Sequence, residues 1–249
     1  MRIQKYLSLE RILSRREAED YIRKGLIKLN GKVINKMGVS IDPSKDRVEI
    51  IGLPAHGRGL PAKSSSQKIT VAVYKPRGVV CSKNRAEGKI IFDIFPQFAH
   101  LNVVGRLDKE SEGLLLLSND GVITAIITGD DHLVEKEYKV TVRENISPWH
   151  IKAMEEGIMI DGPASGRAGK KTLPAKVKCL GVHSFLLLIR EGRHHQIRKM
   201  TNALRLTVER LLRLRIGPIA LLDISSGESR LLDKKEIISL KKIKKNVNR

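Results

Sequence analysis

The sequence predicts an α+β protein: a small N-terminal module, then a larger domain built on a mixed, mainly antiparallel sheet. Residues 1–53 combine one amphipathic helical segment with short strand-like stretches. Residues 54–68 are rich in Pro, Gly and Ser with almost nothing apolar to bury, which is typical of a flexible linker. Over residues 69–240, short β-like runs recur without regular alternation with helices, which argues against a parallel, doubly wound sheet.

The helix of the small module is predicted over residues 15–24. Ser14 and the glutamate three residues later have the spacing of a capping box, in which two side chains satisfy free N–H groups at the start of a helix. Gly25 can adopt the positive φ that ends a helix. Asn30-Gly31 follows between two short apolar-alternating stretches, and this dipeptide is a strong hairpin signal.

The remaining elements are predicted from short apolar runs and helical spacing. Further strands are expected at 46–52 (DRVEIIG), 69–74 (ITVAVY), 102–105 (NVVG), 113–118 (GLLLLS), 137–142 (EYKVTV), 175–180 (AKVKCL) and 184–189 (SFLLLI). Helices are expected at about 148–156 and 194–204. The last residues, 241–249 (KKIKKNVNR), are predicted to form a basic tail without regular structure.

The charge balance points to a polyanionic partner. The chain has 249 residues, and 47 Lys and Arg against 27 Asp and Glu give a formal net charge of +20. Such an excess attracts nucleic acid, whereas a membrane surface fits less well because no long basic amphipathic helix accompanies the charge. Cys81 and Cys179 lie far apart, which favours a reducing compartment without disulfides. Without a signal-like apolar segment at the N-terminus, we expect a cytoplasmic protein.

Asp108 is the first candidate for chemistry. It lies in GRLDKESEGLLLLSNDG (105–121), between a β-like run and the apolar run 114–117. A carboxylate on a loop held between two strands is fixed in position and can serve as a nucleophile or general base. The alternative is that Asp108 only pairs with Arg106 or caps a turn, and this stretch alone favours that alternative.

Two further segments carry candidate residues. REGRHHQIRKM (190–200) clusters basic side chains with Gln196, and RNA phosphates explain them better than a metal, because neighbouring histidines diverge on a helix. A solvated basic helix face is the alternative. Tyr138 lies in the strand-like EKEYKV (135–140), where the alternative is a tyrosine that only packs its ring.

Taken together, these segments resemble the pseudouridine synthases, specifically the bacterial ribosomal-RNA enzymes with an N-terminal S4 domain. GRLDKESEGLLLLSNDG resembles the family's catalytic-aspartate motif, KEY (136–138) the motif with the active-site tyrosine, and EGRHHQIRKM the motif with its basic partner. YKPRG (74–78), RLRIGP (213–218) and SGESRLL (226–232) resemble the family's strand-ending and C-terminal patterns. SRREAEDYIRKGLIKLNGK (14–32) is similar to the S4 signature.

The resemblance implies a role for each matching residue. Asp108 would be the essential carboxylate, Arg198 would pair with it and keep it ionised, and Tyr138 would stack on the target base. Ile197 would pack against the uracil, and Arg106 would fill the gap left by the extruded uridine. Gln196 and Arg193 of the same motif would contact substrate. No metal or organic cofactor is implied.

The S4-like module would supply affinity for structured RNA, with ribosomal RNA as the expected partner and a monomer as the expected state. The basic residues expected to contact RNA are Arg15, Arg16, Arg23, Lys24 and Lys28. Two alternatives stay open: a non-catalytic S4-domain protein for RNA binding or ribosome assembly, and the same chemistry on tRNA. A nuclease or deaminase would need metal-ligand spacing that the sequence lacks.

Overall fold

The computed structural model describes residues 1–10, 12–13, 15–52, 68–129, 133–160 and 169–246. The capping residue Ser14, all but the last residue of the predicted linker 54–68, and residues 247–249 of the tail lie outside the described residues. The chain divides into two compact units, Met1–Gln67 and Lys68–Arg249. In the described part of the chain, no helix is long and apolar enough to cross a membrane.

The first unit packs two helices against a three-stranded antiparallel sheet. Its elements are α1 (Ile3–Leu9), α2 (Arg15–Arg23), β1 (Ile27–Leu29), β2 (Lys32–Ile34) and β3 (Val48–Ile50), with β1 between the other two strands. The predicted hairpin is confirmed, since Asn30 and Gly31 connect β1 and β2 with φ values of 50° and 80°. Gly25, at φ 66°, follows α2 as expected. The unit's core is formed by apolar side chains from both helices and β1: Ile3, Leu7, Ala18, Ile22 and Ile27.

The second unit is built on one large mixed sheet, which confirms the predicted fold class. Its strands are β4 (Thr70–Lys75), β5 (Asn102–Val104), β6 (Glu112–Ser118), β7 (Lys136–Val142), β10 (Lys176–Gly181), β11 (Ser184–Ile189), β12 (Val208–Ile216), β13 (Ile219–Ala220) and β14 (Ser229–Leu231). The strand order is β10-β11-β7-β12-β6-β4-β14, with β13 on β12 and β5 on β6. The pair of β12 with β6 is parallel, and the other pairs are antiparallel.

Helices cover both faces of this sheet. They are α3 (Ile91–Ile94), α4 (Gly121–Thr128), α5 (Pro148–Glu156), α6 (Gln196–Ala203) and α7 (Lys234–Asn246), and the short strands β8 (Met159–Ile160) and β9 (Lys170–Lys171) pair apart from it. Leu114 and Leu116 pack with α4 and α7, whereas Leu115 and Leu117 pack with the α3 segment. Because β6 is buried on both faces, it carries a continuous apolar run rather than an alternating one.

The C-terminal prediction is corrected by the structure. Residues 241–246 were expected to lack regular structure, but α7 continues through Asn246. Leu240 is fully buried and Ile243 packs against the same core cluster as α4. Leu240 and Ile243 are three residues apart, so they lie on the same face of α7 and anchor the helix to this core. The other side chains of α7 are largely basic.

Candidate active site

Asp108 lies on the loop from β5 to β6, and the sheet itself shapes this loop. One edge of β6 is taken by β4, while the other is taken by β12 at Gly113 and by β5 further along, at 116–118. The loop therefore leaves β5 opposite Leu116 and enters β6 at Glu112, where β12 is paired with it. Gly113 has a φ of 102°, and an added Cβ would collide with the backbone of Arg213. Glycine at this position lets β12 approach β6.

The backbone of the Asp108 loop is held from several directions. The Gly78 N–H donates to the Lys109 carbonyl at 2.8 Å, and the Ser111 N–H donates to the Asp108 carbonyl at 3.0 Å. The Leu107 N–H lies 3.4 Å from the thiol sulfur of Cys81. Because so many of its polar groups are paired, the loop presents the Asp108 carboxylate from a fixed backbone.

A buried lysine supplies much of this support. Lys75, at the end of β4, is 0% exposed, and its Nζ donates to the carbonyls of Ser111, Pro76 and Lys109 at 2.6, 2.9 and 3.3 Å. Burial lowers the pKa of the Lys75 ammonium, and the neighbouring Asp108 carboxylate opposes that effect. The sequence analysis assigned no role to Lys75, although the residue lies in the strand-ending segment YKPRG (74–78).

The Asp108 carboxylate faces a histidine in this structure. Oδ1 of Asp108 lies 3.4 Å from Nε2 of His195, and the aspartate side chain is 31% exposed. The expected ion pair with Arg198 is not formed. Nη2 of Arg198 instead donates to the carbonyl of Glu110 at 3.0 Å, two residues beyond Asp108. The arginine thus contacts the loop backbone, whose exposed carbonyl competes for the same donors as the carboxylate.

One cavity of about 1110 Å³ joins the candidate residues. Asp108 comes from the β5–β6 loop, Tyr138 from β7, and the basic segment from the start of α6. Tyr138 is 7% exposed and shares a core cluster with Ile197. The seven site residues predicted for catalysis and substrate contact all line this cavity: Arg106, Asp108, Tyr138, Arg193, Gln196, Ile197 and Arg198.

Two of these residues have their polar groups occupied within the chain. Gln196 accepts from the Arg193 N–H at 2.9 Å and donates to Glu191 at 2.8 Å. The Arg193 guanidinium donates to Glu191 and to the carbonyls of Lys170 and Lys171. Their contacts shape the cavity wall and leave few donors free for substrate, which differs from the role expected for them.

The cavity also contains two cations that sequence reasoning did not single out. Arg213, on β12, is 3% exposed, and its guanidinium carbon lies 6.0 Å from the centre of the Tyr138 ring. Lys136, on β7, lines the same cavity, and burial lowers its pKa to about 8. Among the described residues, no three His, Cys, Asp or Glu side chains gather in a way that could hold a metal ion.

The basic residues predicted to contact RNA lie on and just after α2 and on β1. Arg15, Arg23 and Lys24 are exposed, and Lys28 is half-buried. Arg23 donates to Asp20 at 3.0 Å on the same helix face. The side chain of Arg16 lies outside what the structure describes.

Comparison with known proteins bears on both units. A family model described as RNA pseudouridylate synthase matches residues 69–203, and an S4 domain model matches residues 1–46. The dual-specificity RNA pseudouridine synthase RluF of Escherichia coli O6:H1 is 35% identical over 99% of this chain and 80% of its own length. The ribosomal large subunit pseudouridine synthase B of Bacillus subtilis is 30% identical over 96% of this chain and 95% of its own.

Two further similarities extend the comparison. The ribosomal small subunit pseudouridine synthase A of Pasteurella multocida is 33% identical over 97% of this chain and 100% of its own length. A crystal structure of a pseudouridylate synthase superposes with a TM-score of 0.68 at 29% identity, over 96% of this chain and 99% of that one. The similarity therefore extends over both units of the chain.

Proposed function

The chain belongs to the RNA pseudouridylate synthase family, and from that premise we propose that it isomerises a uridine of ribosomal RNA, with Asp108 as the essential carboxylate. Relatives named for the large and the small ribosomal subunit support ribosomal RNA as the substrate. One observation carries the residue assignment: Asp108, Tyr138 and Ile197, far apart in sequence, line one cavity.

The proposed chemistry places Asp108 against the sugar of the target nucleotide. When the C1′–N1 bond breaks, positive character develops on the ribose and negative charge on the uracil. A carboxylate held at C1′ stabilises or traps the first of these. The uracil then turns and rejoins through C5, so the product has the same atoms as the substrate and no metal or organic cofactor is required.

Tyr138 and Ile197 form the proposed binding surface for the base. Both are buried members of one core cluster, so their positions are set before substrate arrives. A uridine inside an RNA helix must be extruded to reach them, which costs a few kcal/mol. Arg106, exposed beside Asp108, is the group proposed to occupy the vacated space.

Arg198 and His195 are proposed to act around the carboxylate. Arg198 adds positive charge while holding the Glu110 carbonyl, and His195 covers Asp108 at 3.4 Å in the absence of RNA. Because the His195 side chain is 46% exposed, an entering nucleotide can displace it from the carboxylate.

The first unit is proposed to supply affinity through its S4 domain, with Arg15, Arg23, Lys24 and Lys28 contacting RNA phosphates. We propose that the enzyme acts in the cytoplasm and as a monomer, since the residues proposed for catalysis, Asp108, Tyr138 and Arg198, all line one cavity of a single chain. The name of the RluF relative, a dual-specificity enzyme, is a reason to test tRNA beside ribosomal RNA.

The decisive experiment replaces Asp108 by Asn. We expect Asp108→Asn to reduce pseudouridine formation on ribosomal RNA by about 10⁴-fold or more, because the amide keeps the shape and loses the reactive oxygen anion. RNA affinity should change by less than about threefold, since the loop backbone stays in place. Asp223→Asn, at an exposed position, is the matched control.

Pseudouridine is measured by mapping RNA from a reaction with purified protein, and affinity by filter binding. Full activity of Asp108→Asn would contradict the proposed mechanism. RNA binding by the wild-type protein without any pseudouridine would favour the non-catalytic alternative. Modification of tRNA but not of ribosomal RNA would assign the same chemistry to the other substrate.

A further inference from the structure

The charges along β7 are divided between its two faces. Glu135 and Glu137 do not line the cavity, and each pairs with an arginine. Arg215 lies 2.9 Å from Glu137, and Arg190, which itself lines the cavity, lies 3.2 Å from Glu135. Lys136 points to the opposite face, which it shares with the cavity. Both glutamates are thus paired with arginines, while Lys136 faces the cavity.

A β-bulge places a second cation beside the first. In the register of β12 with β7, Arg213 lies opposite Tyr138 and Arg215 lies opposite Glu137, so that Leu214 is the extra residue. In a regular strand, Arg213 and Arg215 would share one face. The extra residue reverses the alternation, which sends Arg213 to the cavity face and Arg215 to the outer face.

Arg213 is fixed but not fully paired. Its Nε donates to the carbonyl of Leu114 at 2.7 Å, and its Nη1 donates to the carbonyl of Arg106 at 3.2 Å. Its Nη2 is buried without a hydrogen-bond partner among the described residues. No carboxylate in the described part of the chain lies within 4.0 Å of this guanidinium. Its charge is therefore held in place without a counter-ion.

Lys136 is, like Arg213, a cation at the wall of the cavity. Its strand neighbours Ile189 and Ile216 are both buried, and its Nζ donates to the Val134 carbonyl at 3.0 Å. Burial and, to a smaller extent, the positive charge of Arg213 together lower the pKa of Lys136 to about 8. Two cations that repel each other at the wall of a substrate cavity cost free energy in the empty enzyme. An anion would remove that cost.

We propose that Lys136, backed by Arg213, forms a subsite for an anionic oxygen of the extruded nucleotide. This inference rests on the proposed function. Lys136 lies two residues from Tyr138 on the same face of β7, about 7 Å along the strand, so a base stacked on Tyr138 brings the rest of the nucleotide within its reach. Lys136 is the contacting group, and Arg213 acts by position and charge.

Two oxygens of the nucleotide meet this description. One belongs to the phosphate that links the target to its neighbour. The other belongs to the uracil, because the C1′–N1 electron pair leaves with N1 and the charge spreads onto O2 and O4. When C5 bonds to C1′, the C5 proton leaves and N1 takes up a proton, so the composition is unchanged. In both cases the ammonium of Lys136, which is partly buried, would pair with a negatively charged oxygen.

The test compares Lys136→Met with Lys139→Met. Lys139 lies on the same strand, is exposed and points to the other face, so both variants lose one charge from β7. We expect Lys136→Met to lose roughly 10- to 100-fold in affinity or in single-turnover rate. Lys139→Met should stay within about twofold of wild type. Lys136→Arg, which keeps the charge, should restore most of the loss.

The two sources are separated by modified RNA substrates. If Lys136 contacts the phosphate, Lys136→Met weakens RNA binding. A methylphosphonate beside the target uridine then weakens binding by the wild-type protein but not by the variant. If Lys136 instead contacts a uracil oxygen, Lys136→Met leaves RNA binding unchanged and lowers the single-turnover rate. The loss is then smaller on RNA with 5-fluorouridine at the target, because the more acidic base needs less stabilisation as it leaves.

Two results would contradict the proposed subsite. One is a Lys136→Met variant that matches Lys139→Met in both affinity and rate. Another is a loss that Lys136→Arg does not restore. Wild-type protein and Asp108→Asn are measured in parallel. Absence of activity in the wild type would count against the proposed function, while the methylphosphonate binding comparison would still test the subsite.

Discussion

Replacing Lys136 by Met should stabilise the second unit. The pKa of Lys136 is lowered from 10.5 to about 8 by burial and by Arg213. That difference corresponds to about 3 kcal/mol of destabilisation at neutral pH, where the ammonium is charged in both states. Methionine has a similar shape and no charge, but it gives up the hydrogen bond to the Val134 carbonyl, which is worth about 1 kcal/mol. The expected net gain is about 2 kcal/mol, or roughly 4–8 °C in melting temperature.

The gain should depend on pH in a defined direction. Below the folded-state pKa of about 8, Lys136 is protonated in both the folded and the unfolded chain, and the folded state bears the full cost. Between about 8 and 10.5 the folded chain releases the proton while the unfolded chain keeps it, so this group makes wild-type stability rise with pH. The advantage of Lys136→Met is therefore largest near pH 7 and shrinks as pH approaches 10.5.

Calorimetric or denaturant unfolding of the full chain at pH 7 and pH 9.5 measures this effect, with Lys139→Met as the control. A variant less stable than wild type at pH 7 would refute the electrostatic reasoning, as would a gain that is the same at both pH values. A stabilised protein that has also lost activity is the pattern expected where a functional charge is held at a cost to the fold.

Two further changes test the support of the Asp108 loop. Gly113→Ala should lower the free energy of unfolding by about 3 kcal/mol or more, measured by urea denaturation, because the new Cβ would collide with Arg213 at a φ of 102°; unchanged stability would contradict the close approach of β12. Lys75→Met should reduce the single-turnover rate at least about 10-fold with little change in RNA affinity, because the Ser111 and Lys109 carbonyls lose their buried donor. An equal loss in affinity and rate would show that Lys75 does not act on the loop alone.

Most strands were predictable because apolar runs mark them directly. The β6 run is continuous since both faces are buried, and Gly113 at its start reads as a strand boundary. The β12 strand was not predicted because arginines interrupt its apolar residues, so it lacks the apolar run that marks β6 or β11. Leu212, Leu214 and Ile216 alternate with Arg213 and Arg215, but the bulge at Leu214, which sends the two arginines to opposite faces, is visible only in the structure.

Only those residues of the candidate site that lie in the family's sequence motifs were predictable. Asp108, Tyr138 and Ile197 line one cavity, as the resemblance implied. In this structure Arg198 donates to the Glu110 carbonyl and not to the Asp108 carboxylate, a choice between two neighbouring acceptors that the local sequence does not encode. Lysines and arginines are usually solvated, so Lys136 carried no signal that set it apart.

The position of β12 in the sheet has a consequence for how the enzyme folds during its synthesis. This strand lies between β7, which carries Tyr138, and β6, which follows Asp108, so among the described strands it alone joins the two halves of the sheet. A fragment ending at residue 203, where the family match stops, would contain both residues and lack the strand between them. During translation, the S4 domain and the strands from β4 to β11 emerge before β12, and only β13 and β14 follow it among the described strands. We therefore expect the growing chain to complete its S4 domain well before the cavity is assembled, and we predict that a prematurely terminated product binds RNA without modifying it.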